Sequence, residues 1–573
     1  MHKKTIFLAF ALTVLVNAVV NGRFQASSSY ASSNGSLTSQ ESQIIALVNG
    51  TTAYNYDLEL EGIALNHSIS NYSFRAGGSA GATATAVWLK EQFESFGLET
   101  QLESFEFTNW NLPSQPTFIM DQDGVVDTTN DQTVISSFQS EHYSWPTSEN
   151  GVFADLVVLP LPSAASFGEI GSRPIDTALW NTINTQGKIV LIGREVRWNP
   201  SWEQTYQNKL SSQKPVAVVY TWWYPWMSFS PPLFSSVGGR PTSSLGPYYW
   251  NLEISAGWVN HDDGLLLRDR ESVANVSARV TIPSVIGAGP HYNVVGKLQG
   301  NGNPDKFVII SGHYDTVMTA GFVDNGAGTA GVLEVARVFS YAAREGLYNF
   351  NYTLLFIAFA SEELGLIGSA NYVKQHKAQM EDIVAVINLD SIGSDNLDVA
   401  RTDPAEDFDL DELILKAASD LNIAATLTEP GGSGQEVFMS PAEGEGIYSY
   451  WWPGLSAGIS NAAPVKSSTM LVSRPLLYSD EWNMDKPGWI HTAYDNSTST
   501  QTLNWLESDN LEEHIKVAVL SVVRISPSSQ GAATTFSFPW WTWGVAVAAA
   551  AVVVVMVVYF VKVKKPLKEN VVQ

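Results

Sequence analysis

At 573 residues the chain is too long for one ordinary domain, and three or four units are expected. Its 57 Asp and Glu against 32 Lys and Arg give a formal charge of -25, which argues against a nucleic-acid partner. It has no cysteine, so neither disulfides nor thiolate metal ligands enter, and its 19 Trp and 21 Tyr make a mainly disordered chain a poor reading.

In chain order, residues 1–22 place His2, Lys3 and Lys4 before the apolar run TIFLAFALTVLVNAVV, the layout of a signal peptide. The Ser-rich stretch 23–40 reads as a flexible lead-in, and Ile44 to Tyr56 as a first helix. In SFRAGGSAGATATAVWLKEQFESFGLETQLESFEF, residues 73–107, Ala86, Leu89, Phe93 and Phe96 fall on one helical face between Gly81 and Gly97. The alternation that follows predicts a strand. From 148 to 274 short strand-like runs (152–160, 187–193, 216–222) are separated by Pro, Gly and Trp-rich turns, which reads as an inserted, mainly β module. The stretch YNVVGKLQG, 292–300, alternates like an edge strand leading into a central sheet.

Three apolar runs, 307–310, 353–360 and 383–389, have strand length and β-branched or aromatic composition. Each ends in a polar cluster: His313 and Asp315, then Glu362 and Glu363, then Asp390. Asp324 and Asn325 open a helical run, 326–343. Open α/β sheets gather ligands outside the carboxyl ends of their strands, so these side chains are expected in one crevice. Imidazole and carboxylate donors suit zinc or a similar divalent ion, and the reading is a metal-dependent hydrolase. A helix is expected between Asp409 and Asn422, and a closing helix from Leu503 to Val523. The Gly, Pro, Ser and Trp-rich stretch 429–490 precedes His491 and reads as a wall of the site.

At the far end, Trp540 to Val561 is a run of 22 uncharged, nearly all apolar residues with Trp540, Trp541, Trp543 and Tyr559 near its edges. Lys562, Lys564, Lys565 and Lys568 follow it. This predicts a transmembrane helix after a stalk at 526–539, a cytoplasmic tail at 562–573, and a catalytic part outside the cell. Seven Asn-x-Ser/Thr sites, at Asn34, Asn49, Asn66, Asn71, Asn275, Asn351 and Asn496, are compatible with an exported glycoprotein.

The motifs YNVVG, GHYDTV, the Asp324-Asn325 pair with its Gly/Ala helix, SEELGLIGS, NLDSIG and the late IHTAYDN stand in the order of family M28. The chain resembles these zinc peptidases, the aminopeptidase and glutamate-carboxypeptidase-like group, over 40–110 and 275–525. The resemblance implies an eight-stranded mixed sheet flanked by helices, formed by 40–147 and 275–525, and an inserted protease-associated-like domain at 148–274. It implies two zinc ions with Asp324 bridging them, His313 and Asp390 completing one, and Glu363 and His491 the other. Glu362 becomes the general base, and Asp315 orients His313. Ile490 stands where the family usually has a tyrosine. Tyr448 and Tyr450 are candidate oxyanion donors. Arg401 and Arg474 are available for a substrate carboxylate. An aminopeptidase acting on extracellular peptides is the expectation. A carboxypeptidase of the same fold is the main alternative, ahead of a glutaminyl cyclase or a non-catalytic receptor, and a homodimer stays open.

Overall fold

The computed structural model describes residues 37–67, 74–121, 132–141, 144–162, 173–198, 200–223, 254–317, 319–395, 397–400, 410–428, 468–473, 495–503 and 506–527. Two eight-stranded sheets organise them. The first, which carries the site, runs β1 (Glu99–Asn111), β10 (Val285–Leu298), β12 (Tyr352–Phe359), β11 (Asn303–His313), β13 (Ile383–Asp390), β16 (Ser468–Ser473), β14 (Leu397–Ala400), β15 (Ala425–Thr428). Strands β12, β11, β13 and β16 are parallel, while β1, β10 and β12 pair antiparallel on one side and β14 meets β16 antiparallel on the other. The sheet is mixed, as expected.

The three apolar runs form β11, β12 and β13. Parallel strands covered on both faces read as continuous hydrophobic runs. Thr353 to Phe359 are all buried, as are Val308 to His313. Helix α1 (Ser39–Ile45) and helix α2 (Gly50–Asn66) divide what the sequence suggests as one helix. Asn49 makes the break: its backbone is extended and its side chain accepts the Thr52 N–H at 2.8 Å, an N-cap. Helix α3 (Ala80–Ser95) begins at a Ser79 cap and packs on β1 and β10. The edge assignment for 292–300 is corrected. Strand β10 is interior, because β1 pairs with it along its whole length, from Glu99 opposite Lys297 to Asn111 opposite Val285.

The second sheet has the order β3 (Gln132–Val134), β2 (Thr117–Asp121), β9 (Ser277–Thr281), β5 (Val152–Leu159), β6 (Ile189–Gly193), β7 (Ala217–Thr221), β8 (Ser255–Trp258), β4 (Gln139–Ser140). It therefore reaches beyond the expected limits of 148–274 on both sides. It is also less purely β than the sequence suggests. Strands β5 to β8 are parallel, which requires crossovers. Helix α4 (Thr177–Thr182) joins β5 to β6, and helix α5 (Pro200–Gln213) joins β6 to β7. Helix α6 (His261–Glu271) follows β8 and leads to β9. Trp180, Trp202, Tyr206 and Leu267 from these helices are buried in one core with the strands.

Helix α7 (Gly328–Arg344) packs against β11, β12 and β13 with almost all its residues buried. A glycine is required at its start: a Cβ on Gly328 would lie 2.3 Å from the Leu389 carbonyl oxygen. Helix α8 (Ile367–Gln375) follows the Glu362-Glu363 turn. Helix α9 (Leu410–Asp420) forms where expected. The closing helix resolves into α10 (Thr500–Leu503) and α11 (Ser508–Ile525). Apart from β16, the stretch 429–490 lies outside the described residues, with Tyr448, Tyr450, Arg401 and Arg474. So do the segments read as signal peptide, stalk, membrane span and tail, save the first residues of the stalk. Among the described residues no helix is long and apolar enough to cross a membrane.

Candidate metal centre

The carboxyl ends of three neighbouring parallel strands deliver the side chains. His313 is the last residue of β11 and Asp390 the last of β13, while Glu362 and Glu363 follow β12. Asp324 comes from the turn Phe322–Ala327 before α7, and a cis peptide bond joins it to Asn325. His313 Nε2 lies 3.2 Å from Asp324 Oδ1, 3.7 Å from Asp390 Oδ1 and 3.9 Å from Glu362 Oε2. Ligand atoms of His313, Asp324 and Asp390 all fall within 4.8 Å of one another, and all three residues are buried.

Hydrogen bonds to the surrounding loops fix this arrangement. The His313 Nδ1 nitrogen bonds the backbone carbonyl of Asp315 at 3.0 Å, which leaves Nε2 facing the carboxylates. The Asp315 carboxylate, expected to orient His313, lies 3.7 Å from that nitrogen, beyond hydrogen-bond reach. It accepts instead the backbone N–H of Glu362 at 2.9 Å and of Glu363 at 3.3 Å. Asn325 ties the Asp324 turn to β13: its Nδ2 donates to the Leu389 carbonyl, and its Oδ1 accepts from Gly328 and Ser391.

Electrostatics favour a cation here. Burial works to lower the His313 pKa, yet the carboxylates of Glu362, Asp315, Asp324 and Asp390 outweigh it and raise it well above the ordinary value. Four acidic groups around one imidazole, all buried, are costly unless positive charge joins them. One nitrogen and two carboxylate donors converging in this way fit zinc. Glu363 is buried on the same turn but is not within the converging triad. His491 lies outside the described residues.

Two residues beside the centre were given no role from the sequence. Asp495, buried and inside the IHTAYDN motif, accepts the Val323 N–H at 2.6 Å and the Asp324 N–H at 3.3 Å. Arg75, from the SFRAGGS stretch, is fully buried and donates to the carbonyls of Tyr314, Ala320 and Gly321. The motif offered a signal for Asp495 in its position four residues after His491. Arg75 offered none beyond a lone cation before two glycines.

Residues 293–507 match the family model described as Peptidase family M28. Over this segment the chain is similar to the peptidases of family M28. The match takes in His313, Asp324, Glu362, Glu363, Asp390 and the 491–495 motif. Among curated proteins the chain is 35% identical over 120 residues to a probable zinc metalloprotease of Pyrenophora teres f. teres, covering 19% of this chain and 24% of that one. It is 31% identical over 118 residues to aminopeptidase NAALADL1 of Mus musculus, covering 20% of this chain and 16% of that one. The matches thus span a quarter or less of these relatives' own lengths. Among solved structures, a zinc aminopeptidase from Bacillus subtilis superposes with a TM-score of 0.56 at 18% identity, covering 84% of this chain and 96% of that chain. That likeness establishes a shared fold.

Proposed function

We propose that the chain is a zinc-dependent exopeptidase that removes residues from the free amino end of peptides. The observation that carries the proposal is the meeting of His313, Asp324 and Asp390 within 4.8 Å, with Glu362 3.9 Å from the imidazole. The M28 match and the zinc metalloprotease and aminopeptidase names of its relatives support the same chemistry.

In this reading His313, Asp324 and Asp390 would hold zinc, and Glu363 and His491 would serve as the further ligands. Bound zinc would supply Lewis-acid polarisation of the scissile carbonyl and lower the pKa of water. The chain's own work is positional and protonic. Glu362 accepts the proton of the attacking water and returns it to the departing amine. Asp315 keeps Glu362 and Glu363 on their turn through two amide bonds, and its carbonyl sets the His313 ring. The buried walls of β11, β12 and β13 keep the dielectric low, where such groups act most strongly.

The reading extends to location. Residues 1–22 direct export, 540–561 anchor the chain, and the site faces outward on a glycosylated ectodomain, so that its substrates are extracellular peptides.

The test is hydrolysis by the full-length chain of matched peptides with a free or an acetylated amino end, with zinc present. Cleavage of the free-amine peptide alone is expected. Preference for the acetylated peptide, with release of its last residue, would instead assign a carboxypeptidase.

A further inference from the structure

Arg75 is neither a ligand nor a reacting group in that reading, yet it bonds the backbone that runs from His313 to Asp324. Arg75 is fully buried. Its Nε donates to the Tyr314 carbonyl at 3.0 Å, Nη1 to Ala320 at 2.6 Å and Nη2 to Gly321 at 3.1 Å. Its backbone N–H donates to Thr316 Oγ1 at 3.0 Å, and that hydroxyl donates to the Thr319 carbonyl. All of these acceptors lie on the connection between His313 and Asp324. The connection enters directly from the first of these residues and leaves three positions before the second.

Buried acids surround the same guanidinium. Burial works to lower its pKa, and Asp57, Asp495, Asp315 and Glu61 act against this, in that order. Asp495 holds the Asp324 amide, and Asp315 holds the Glu362 and Glu363 amides. The Asp57 carboxylate is fully buried beside Gly326, where an added Cβ would meet its oxygen at 2.1 Å. One cation therefore faces the carboxylates that hold the Asp324 turn and the Glu362 turn. Its neighbours Phe74 and Ala76 belong to the core of the second sheet, with Val317 of the same connection.

We propose that Arg75 is a positioning residue of the metal centre: it sets the distance and orientation between His313 and Asp324 by clamping the backbone that joins them. This rests on the zinc-peptidase reading above. The chemistry requires arginine. Its planar fork presents donors in fixed directions to three carbonyls, whereas a lysine ammonium is a single point charge. Side chains held at second remove from a metal typically change its affinity or the activity about 10–100-fold. Arg75 reaches the ligands one step further out, through the backbone next to them, and an effect in that range is expected.

The experiment uses the full-length chain. Zinc affinity, the visible absorption of the cobalt-loaded protein, the circular dichroism and the thermal midpoint are measured for wild type, Arg75→Lys and Arg75→Met. The expected result is zinc affinity weakened about 10–100-fold in both variants, with a changed cobalt spectrum in molecules of native circular dichroism. Thr316→Val, which removes one hydroxyl from the same clamp, is expected to weaken zinc in the same direction by a smaller factor, and serves if the Arg75 variants do not fold. A strut with no bearing on the metal would lower the thermal midpoint and leave zinc affinity and the cobalt spectrum at wild-type values, which overturns the proposal. Wild-type protein that binds neither metal overturns the zinc-peptidase reading itself, and this proposal with it.

Discussion

Asp315 and Glu362 are joined through the backbone: the Asp315 carboxylate accepts the Glu362 N–H at 2.9 Å, and the same carboxylate takes the Glu363 N–H at 3.3 Å. A residue two positions after His313 thus sets the turn that carries the proposed base. Asp315→Asn keeps the shape but places an amide that can accept through only one atom against two N–H donors. It is expected to lower kcat about 10–100-fold, read from steady-state kinetics of the zinc-loaded protein. Wild-type kcat would deny the turn's importance.

Glu362→Gln keeps the volume and removes the proton acceptor. The expected loss in kcat is about 10²–10⁴-fold, with zinc content unchanged. Turnover within threefold of wild type at full zinc loading would place the base elsewhere.

Asp495 holds the Val323 and Asp324 amides, so Asp495→Ala leaves two buried donors unsatisfied next to a proposed ligand. Zinc affinity is expected to fall about 10–100-fold, measured by competition with a chromogenic chelator. An unchanged affinity would confine Asp495 to the stability of the fold.

The parts of the site visible in the sequence are those that are local. Strands β11, β12 and β13 declare themselves because a strand buried on both faces is a continuous apolar run, and each run stops at the polar residue it delivers. His313, Glu362 and Asp390 could be placed on that ground alone. Arg75 could not, because its carbonyl acceptors are 239 to 246 residues away and any carbonyl reads alike in sequence. Strand β10 is interior rather than an edge for a related reason. Asn293 to Gly296 are all buried, and β1 and β12, both distant in sequence, pair with the strand's two edges. The second sheet reaches past its expected limits because β9, outside them, pairs with β2 and β5, both far from it in sequence.

His514 gives the fold an acid limit. It is buried in α11, its Nδ1 accepts the Gly393 N–H at 3.1 Å, and burial pushes its pKa down to about 4. The unfolded chain takes up this proton near pH 6.5 and the folded chain near 4. Stability from this group is complete above pH 6.5, falls as pH drops towards 4, and is level below it, with a slope of up to about 1.4 kcal/mol per pH unit between. Urea unfolding of wild type and His514→Gln across that window checks the sign. The variant should be less stable at neutral pH and lose less as pH falls; parallel curves would exclude His514 as the cause.

Peptide hydrolysis is expected to depend on metal held by His313, Asp324 and Asp390. The most direct measurement is zinc content per chain alongside hydrolysis of a free-amine peptide, for full-length protein as purified, after chelation and after zinc is returned, with Asp324→Ala beside it. The expected result is two zinc ions per chain, activity lost with the metal and regained with it, and an Asp324→Ala chain that is folded, poor in zinc and inactive. Hydrolysis that continues at full rate in protein freed of metal, or in Asp324→Ala, would contradict it.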